Sequence, residues 1–181
     1  MTTNNHWIDN SQQLAELCEQ LQGATELAID TEFMRTDTFF AKLALIQLSD
    51  GEQCWLIDTP AIENLQPLAE LLNKPQLTLV FHSCGEDLEV LDQVLSVRPK
   101  KLFDSQIAAG IVNIGYSMGY ARLVENMLQI ELGKEDTRSD WLARPLSDRQ
   151  KLYAADDVLY LFRIYKLLLD LLEQQQRQSW F

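Results

Sequence analysis

The chain has 181 residues, the length of a single domain, and it is long enough to bury a core without cross-links. Fifteen basic and 27 acidic side chains give a formal net charge of −12, which argues against a protein that coats nucleic acid through a basic surface. The same balance is compatible with an enzyme whose acidic site holds divalent cations, because such ions present positive charge to phosphate.

The sequence also bears on the compartment. No run of apolar residues approaches the roughly 20 that a membrane-spanning helix needs, and Met1–His6 lack the basic and apolar regions of a signal peptide. Cys18, Cys54 and Cys84 are widely separated and form no Cys-x-x-Cys pair, so we predict reduced thiols and no disulfide or zinc cluster. Together these features predict a cytoplasmic protein without a membrane partner.

In chain order, a first helix capped by Asn10 or Ser11 precedes three strands, which we expect to form an antiparallel meander. Later strands alternate with helices, and Ser147 and Gln150 fit the capping-box pattern at the start of a long final helix. The predicted helices cover 11–21, 61–72, 86–95, 105–112, 119–129, 138–143 and 148 onward, and the predicted strands cover 26–30, 41–48, 54–58, 77–81 and 101–103. This order indicates an α/β domain built around a mixed sheet.

Acidic side chains occur where predicted strands end or helices begin. Asp30 and Glu32 close an apolar strand, and because side chains two apart in a strand point the same way, both can bind one metal ion. Asp87 lies in the first turn of a helix after a buried strand, where the helix dipole alone also favours an acid. Taken singly, each position is as easily a polar strand end or a helix terminus, so neither identifies a site.

A third acidic position lies near the start of the final helix. Tyr153 and Asp157 are four residues apart and therefore share one helix face. Asp156 points about 100° away from Asp157 and is expected in solvent. A phenol beside a metal-binding carboxylate can orient an attacking water or help to deprotonate it.

In combination, these positions resemble the tyrosine-bearing branch of the DEDD exonuclease superfamily. The order is Asp-x-Glu after a first strand, Asp after a later strand, and Tyr-x3-Asp on a C-terminal helix. The residues around them, in 28–33, 81–88 and 139–157, are similar to ribonuclease D, and the resemblance spans 25–170. The motifs are specific for the family and less specific for the substrate, since relatives with similar motifs degrade DNA.

The resemblance implies an RNase H-like fold with a five-stranded mixed sheet flanked by helices. It also implies two divalent cations as cofactors, Mg²⁺ or Mn²⁺, and a nucleophilic water positioned by Tyr153. The metal ligands would be Asp30, Glu32, Asp87 and Asp157. The expected reaction is hydrolysis of the last phosphodiester at the single-stranded 3′ end of RNA, such as a tRNA precursor, with release of 5′-mononucleotides.

Further residues are candidates for binding the substrate. Phe33 and Met34 follow the first acidic pair and would stack on or wedge against the terminal base, although core packing is the favoured alternative for Phe33. His82 follows a strand and is equally consistent with a contact to the 3′-terminal nucleotide and with a structural histidine. Arg138 lies in a less acidic segment before the last helix, where we expect Trp141 to be a packing anchor.

Ribonuclease D proteins usually continue into helical RNA-binding domains, and this chain stops at Phe181, shortly after the last predicted helix. We therefore expect a single monomeric exonuclease domain with weak affinity for RNA and poor processivity. Two other functions stay open, namely an exonuclease directed at DNA and an inactive domain that binds nucleic acid or protein. All five motif positions are intact, which disfavours the inactive domain. A phosphatase with Asp30 as nucleophile is disfavoured because no second Asp follows two residues later.

Overall fold

The computed structural model describes residues 4–35, 40–133 and 139–180. Its six strands are β1 Asn4–Ile8, β2 Glu26–Met34, β3 Lys42–Ser49, β4 Gln53–Ile57, β5 Thr78–Phe81 and β6 Lys101–Asp104. They form one sheet in the order β1-β4-β3-β2-β5-β6, in which β2, β3 and β4 are antiparallel and the other neighbours are parallel. The predicted α/β class, the mixed sheet and the antiparallel meander are confirmed.

The prediction of five strands is wrong by one, because β1 forms a sixth strand in parallel pairing with β4. Its sequence, Asn-Asn-His-Trp-Ile, lacks the apolar alternation that marks a strand. The extended conformation of β1 therefore depends on its pairing with β4 and not on its local sequence. The strand β2 also continues to Met34 because it pairs with β3 beyond Asp30. Asp30 and Glu32 therefore lie within a strand and not after one.

The helices are α1 Ser11–Gln20, α2 Gln66–Leu72, α3 Gly85–Leu95, α4 Ser105–Ile111, α5 Tyr120–Leu128 and α6 Asp148–Gln174. The predicted helix over 138–143 is wrong in its described part, because 139–145 form turns in which the Arg144 guanidinium binds the carbonyl oxygens of Trp141 and Ala143. The helix predicted from 61 begins only at Gln66, with Pro67 in its first turn. None of the described helices combines the length and apolar character needed to cross a membrane.

The sheet separates two apolar clusters. We call the side that packs against α1, α2 and α3 the α3 face, and its sheet residues include Leu27, Ile29 and Phe81. The opposite side, the α6 face, packs against α4, α5 and α6 through residues such as Leu45 and Leu56. Side chains alternate between these faces along each strand, so neighbours in sequence serve different layers.

Candidate active site

Two acidic side chains of β2 point to the α6 face. Asp30 pairs with Gln47 of β3, and Glu32 pairs with Leu45, which belongs to the apolar cluster of that face. A register shift follows directly between Glu32 and Phe33. Such bulges re-aim side chains beside functional sites, and this one changes the register directly after the second acid, beyond which Phe33 and Met34 pair with Leu43 and Lys42.

The helix α6 brings Tyr153 and Asp157 to the same place. Its start is fixed by the predicted capping box, in which the Ser147 hydroxyl accepts from the Gln150 amide while the Gln150 side chain accepts from the Ser147 amide. One oxygen from each of Asp30, Glu32 and Asp157 lies within 4.8 Å of the others. Carboxylate oxygens are the ligands that hard divalent cations prefer, so this cluster fits a metal site.

Asp87 approaches these acids from the opposite side of the sheet, and it is not among the three whose oxygens lie within 4.8 Å of one another. It lies in the first turn of α3, and its Oδ1 accepts a hydrogen bond of 2.6 Å from the hydroxyl of Thr31. Thr31 stands between Asp30 and Glu32 on β2, and its side chain therefore points to the α3 face. The hydroxyl couples Asp87 to the same strand that carries the two metal-ligand candidates.

The clustered carboxylates oppose one another's ionisation. Burial, and then the charges of Asp87, Asp157 and Glu32, raise the pKa of Asp30 well above its usual range. Burial, and then Asp157 and Asp87, raise the pKa of Glu32 to about 9. Burial also raises the pKa of Asp87, although the hydrogen bond from Thr31 acts in the opposite direction. A cation bound among these groups would remove the repulsion that burial otherwise intensifies.

The phenol of Tyr153 lies beside these acids. Burial raises its pKa well above the usual range, and the carboxylates of Asp157, Glu32 and Asp30 raise it further. The ring also lies 6.0 Å from that of Trp141, which is buried and is the packing anchor that the sequence predicted. At neutral pH the Tyr153 hydroxyl keeps its proton and is suited to orienting a water molecule.

A cleft of about 550 Å³ opens beside the acidic cluster. Asp30, Tyr153 and Asp157 line one part of it, and apolar side chains line much of the rest. These include Tyr120, Leu132, Leu152 and Leu161. A carboxylate end next to apolar walls can receive a molecule that has both a phosphate and a flat, apolar surface.

His82 also lines the cleft. Its Nδ1 lies 2.9 Å from the hydroxyl oxygen of Ser105, and its buried Nε2 has no hydrogen-bond partner among the described residues. Burial lowers the pKa of His82, against the opposing effects of Asp104 and the Met118 carbonyl group. The structure thus gives this histidine a fixed ring and one unused polar atom.

Two other substrate candidates, Phe33 and Met34, do not line the cleft. Phe33 is partly buried and packs against the cluster of the α3 face, while Met34 packs against the cluster of the α6 face. The guanidinium carbon of Arg35 lies 5.9 Å from the centre of the Phe33 ring. Arg138 lies outside the described residues.

A buried ion pair fastens the segment before α6 to the sheet. The Arg144 guanidinium donates to both carboxylate oxygens of Asp58 at 2.6–3.0 Å and to the Ala44 carbonyl oxygen at 2.8 Å. The Asp58 side chain is 6% exposed, and that of Arg144 is 26% exposed. This residue belongs to the less acidic segment that suggested substrate binding, but its donors are committed to holding the approach to α6.

The sequence did not single out several residues that shape the site. The hydroxyl of Tyr120 donates to the Asp156 and Asp157 carbonyl oxygens, at 3.0 and 2.6 Å, and so braces α6 at its metal-ligand candidate. Arg149 lines the cleft, as does Asp156, which is partly buried and not in solvent as expected. Burial raises the pKa of Asp156. No local pattern marks these contacts, because each joins segments far apart in the chain.

A family model described as 3′-5′ exonuclease matches residues 5–173. The chain belongs to this family of 3′-5′ exonucleases. This match confirms the expected class of protein, a 3′-5′ exonuclease.

Relatives within the family include ribonuclease D proteins. Ribonuclease D of Pseudomonas paraeruginosa is 44% identical over 174 residues, which cover 96% of this chain and 46% of the relative. The crystal structure of Escherichia coli RNase D matches this chain with a TM-score of 0.92 and 41% sequence identity. The match covers 97% of this chain and 47% of that one, which is described as an exoribonuclease involved in structured RNA processing. The predicted resemblance to ribonuclease D is confirmed, and the chain spans about half the length of these relatives.

A third relative is known with ligands. Structures of NrnC from Brucella melitensis, one bound to pGG and one with bound Mg²⁺, match with TM-scores of 0.82 and 0.78 at 27% and 29% identity. They cover 98% and 99% of this chain and 86% of NrnC. The acidic cluster and the Mg²⁺ in a neighbour of the same fold agree with a divalent-metal site.

Proposed function

We propose that this chain is a metal-dependent 3′→5′ exoribonuclease that releases 5′-mononucleotides from single-stranded RNA 3′ ends. The observation that carries the proposal is the convergence of Asp30, Glu32 and Asp157 within 4.8 Å, beside a cleft that Asp30 and Asp157 line. The likeness to ribonuclease D supports RNA as the substrate, and structured RNAs such as tRNA precursors are the proposed natural targets.

The proposed cofactors are two Mg²⁺ or Mn²⁺ ions. Asp30 and Glu32 would hold them from the sheet, Asp157 from α6 and Asp87 from α3. Such ions activate water and stabilise negative charge on the attacking and leaving oxygens. The Mg²⁺ bound in NrnC supports a divalent cation as the cofactor.

The protein's own side chains orient the reactants. The Tyr153 hydroxyl keeps its proton near neutral pH and forms a hydrogen bond with the attacking water. This bond orients the water so that a lone pair of the water oxygen points at the terminal phosphorus. His82 contacts the terminal nucleotide through the part of its ring that lines the cleft, and the contact between Nδ1 and the Ser105 hydroxyl holds the ring in place. The apolar wall formed by Leu152 and Leu161 receives the base.

We further propose that the 181 residues act as one monomeric, cytoplasmic exonuclease domain. The three unpaired thiols support a reducing compartment. Light scattering coupled to gel filtration tests the monomer.

The direct test is a degradation ladder on 5′-labelled single-stranded RNA and on DNA of the same sequence, with Mg²⁺, Mn²⁺ or EDTA. We expect stepwise shortening of RNA that requires metal. Asp157→Ala should reduce the rate by more than the roughly 100-fold that losing an outer-shell partner of a metal ligand costs. Asp170→Ala is the matched control, because Asp170 lies on the same helix and is exposed.

The outcomes separate the alternatives. Equal or faster shortening of DNA would turn the assignment to a DNA-directed exonuclease. Full activity of Asp157→Ala would refute the proposed site. Absence of shortening by folded wild-type protein that binds metal would favour an inactive domain that binds nucleic acid or protein.

A further inference from the structure

A glutamine is enclosed in the middle of the sheet without a hydrogen-bond partner. Gln47 of β3 is 0% exposed, and neither its Nε2 nor its Oε1 has a partner among the described residues. A buried amide left in this state costs about 1–3 kcal/mol, and apolar residues of similar size would avoid that cost. The amide therefore requires an explanation other than stability.

The register of the sheet places Gln47 beside the acidic cluster. Gln47 is the direct cross-strand partner of Asp30, and on its other side it pairs with Leu56 of β4. Directly opposed residues in an antiparallel pair share a face, with Cβ atoms about 4.5–5.5 Å apart. A glutamine side chain spans that separation, so its amide lies within reach of the Asp30 carboxylate.

The surroundings exclude solvent from the Gln47 amide. Leu45 and Leu56 flank Gln47 and belong to one apolar cluster with Ala154 and Val158 of α6. Polar interactions in such a place are stronger than in water, because the local dielectric constant is low. A donor at Gln47 thus acts on Asp30 with little competition.

We infer that Gln47 is a positioning residue, which donates from Nε2 to the Asp30 carboxylate and turns its other oxygen toward Glu32 and Asp157 when the site holds a divalent cation. The inference rests on the proposed metal site and deepens it. Carboxylates that bind metals are themselves held by hydrogen bonds from neighbours, and losing such a partner costs about 10–100-fold in metal affinity or activity.

The chemistry of an amide suits this position better than that of other residues. A lysine would neutralise Asp30 and compete with the cation for its oxygens. A further carboxylate would add repulsion to three acids that already lie within 4.8 Å of one another. A leucine would supply no donor. Only a neutral donor orients the ligand and leaves its charge for the metal.

The test compares Gln47→Met, which keeps the length of the side chain and removes the donor, with the wild type. Calorimetric titration of metal-free protein with Mn²⁺, without RNA, should give a dissociation constant that is weaker by about 10-fold or more. Ser49→Ala is the matched control, because Ser49 is buried two residues further along β3 and its hydroxyl accepts from the Gly51 amide. This control should keep the wild-type affinity for Mn²⁺ whatever happens to its stability.

A second measurement uses the wild type and covers the case in which Gln47→Met fails to fold. The side-chain amide resonances of Gln47, assigned by NMR through its own backbone, should shift and become protected from exchange when Mg²⁺ is added. Unmoved resonances in protein that binds Mg²⁺, or wild-type Mn²⁺ affinity in folded Gln47→Met, would overturn the inference alone. Wild-type protein that binds neither ion would instead overturn the proposed metal site, and the inference with it.

Discussion

The two faces of the sheet differ in what they bury. On the α3 face, Leu27, Ile29 and Phe81 are fully buried and pack against apolar side chains of three helices. On the α6 face, the same sheet carries Asp30 and Gln47, which lie beside equally apolar neighbours. One sheet thus serves as a core on one side and as the floor of a charged site on the other.

The difference shows how the site is positioned. Apolar packing on the α3 face needs no specific partner for each atom, whereas each polar group on the α6 face needs a particular donor, acceptor or ion. Asp87 is an exception, because it is an acid on the α3 face. It belongs to α3 and is joined to β2 by the hydrogen bond from Thr31. The apolar layer of the α3 face therefore holds the acids in position. Substitutions on the α3 face should change stability, and substitutions at the polar groups of the α6 face should change metal binding and activity.

The largest effect is expected from Arg144→Met, which removes the guanidinium from the ion pair that attaches the approach to α6. Asp58 would be left buried without its counter-charge, and breaking such a pair costs about 3–5 kcal/mol. Urea unfolding monitored by circular dichroism measures the change. Adding Asp58→Asn should restore part of the loss. A single variant within about 0.5 kcal/mol of wild type, the range of ordinary surface substitutions, would refute the role of the pair.

Leu27→Ala tests the apolar face alone. Leu27 is fully buried on β2, three residues before Asp30, and its truncation should lower the free energy of unfolding by about 2–5 kcal/mol. The kcat per folded molecule and the affinity for Mn²⁺ should stay at the wild-type values. Leu27→Met, which keeps the volume, should cost less than about 1.5 kcal/mol. A loss of Mn²⁺ affinity in the folded Leu27→Ala protein would break the separation between the faces.

Thr31→Val tests the link across the sheet. It removes the hydroxyl that donates to Asp87 at nearly constant shape, and activity with Mg²⁺ should fall by about 10-fold or more. Thr31→Ser keeps the donor and should retain most of the activity. Initial rates of mononucleotide release, measured on samples of equal folded fraction, distinguish the two. Equal rates for the valine and serine variants would show that Asp87 needs no such support.

The last prediction concerns the effect of pH on the metal-free protein. Because the pKa of Glu32 is raised from 4.5 to about 9 in the folded protein, its contribution to stability is present below 4.5 and is lost as the pH rises toward 9. The metal-free protein should therefore lose Tm over this window, by about 2–4 °C for each kcal/mol. Glu32→Gln should flatten the dependence. An unchanged slope in that variant, measured in EDTA, would assign the effect to other groups.

Much of the fold followed from local pattern. Apolar periodicity and capping residues placed the start of α6 at Ser147 and the cap of α1 at Asn10 or Ser11, of which the structure uses Asn10, because those contacts lie within one helical turn. The strand β1 was missed because its polar sequence acquires strand geometry only by pairing with β4. The helix expected over 138–143 failed for a similar reason, since Arg144 takes carbonyl groups that a helix would use.

The sequence by itself determined which residues are available for chemistry. The spacing of Asp30 and Glu32, and of Tyr153 and Asp157, follows from the periods of a strand and a helix and is legible without a structure. Tertiary structure alone decided that Thr31 binds Asp87, that Arg144 serves the fold, and that Gln47 lies beside Asp30. The physical reason is that these contacts join segments distant in the chain, whose meeting depends on strand register and helix packing and not on local periodicity.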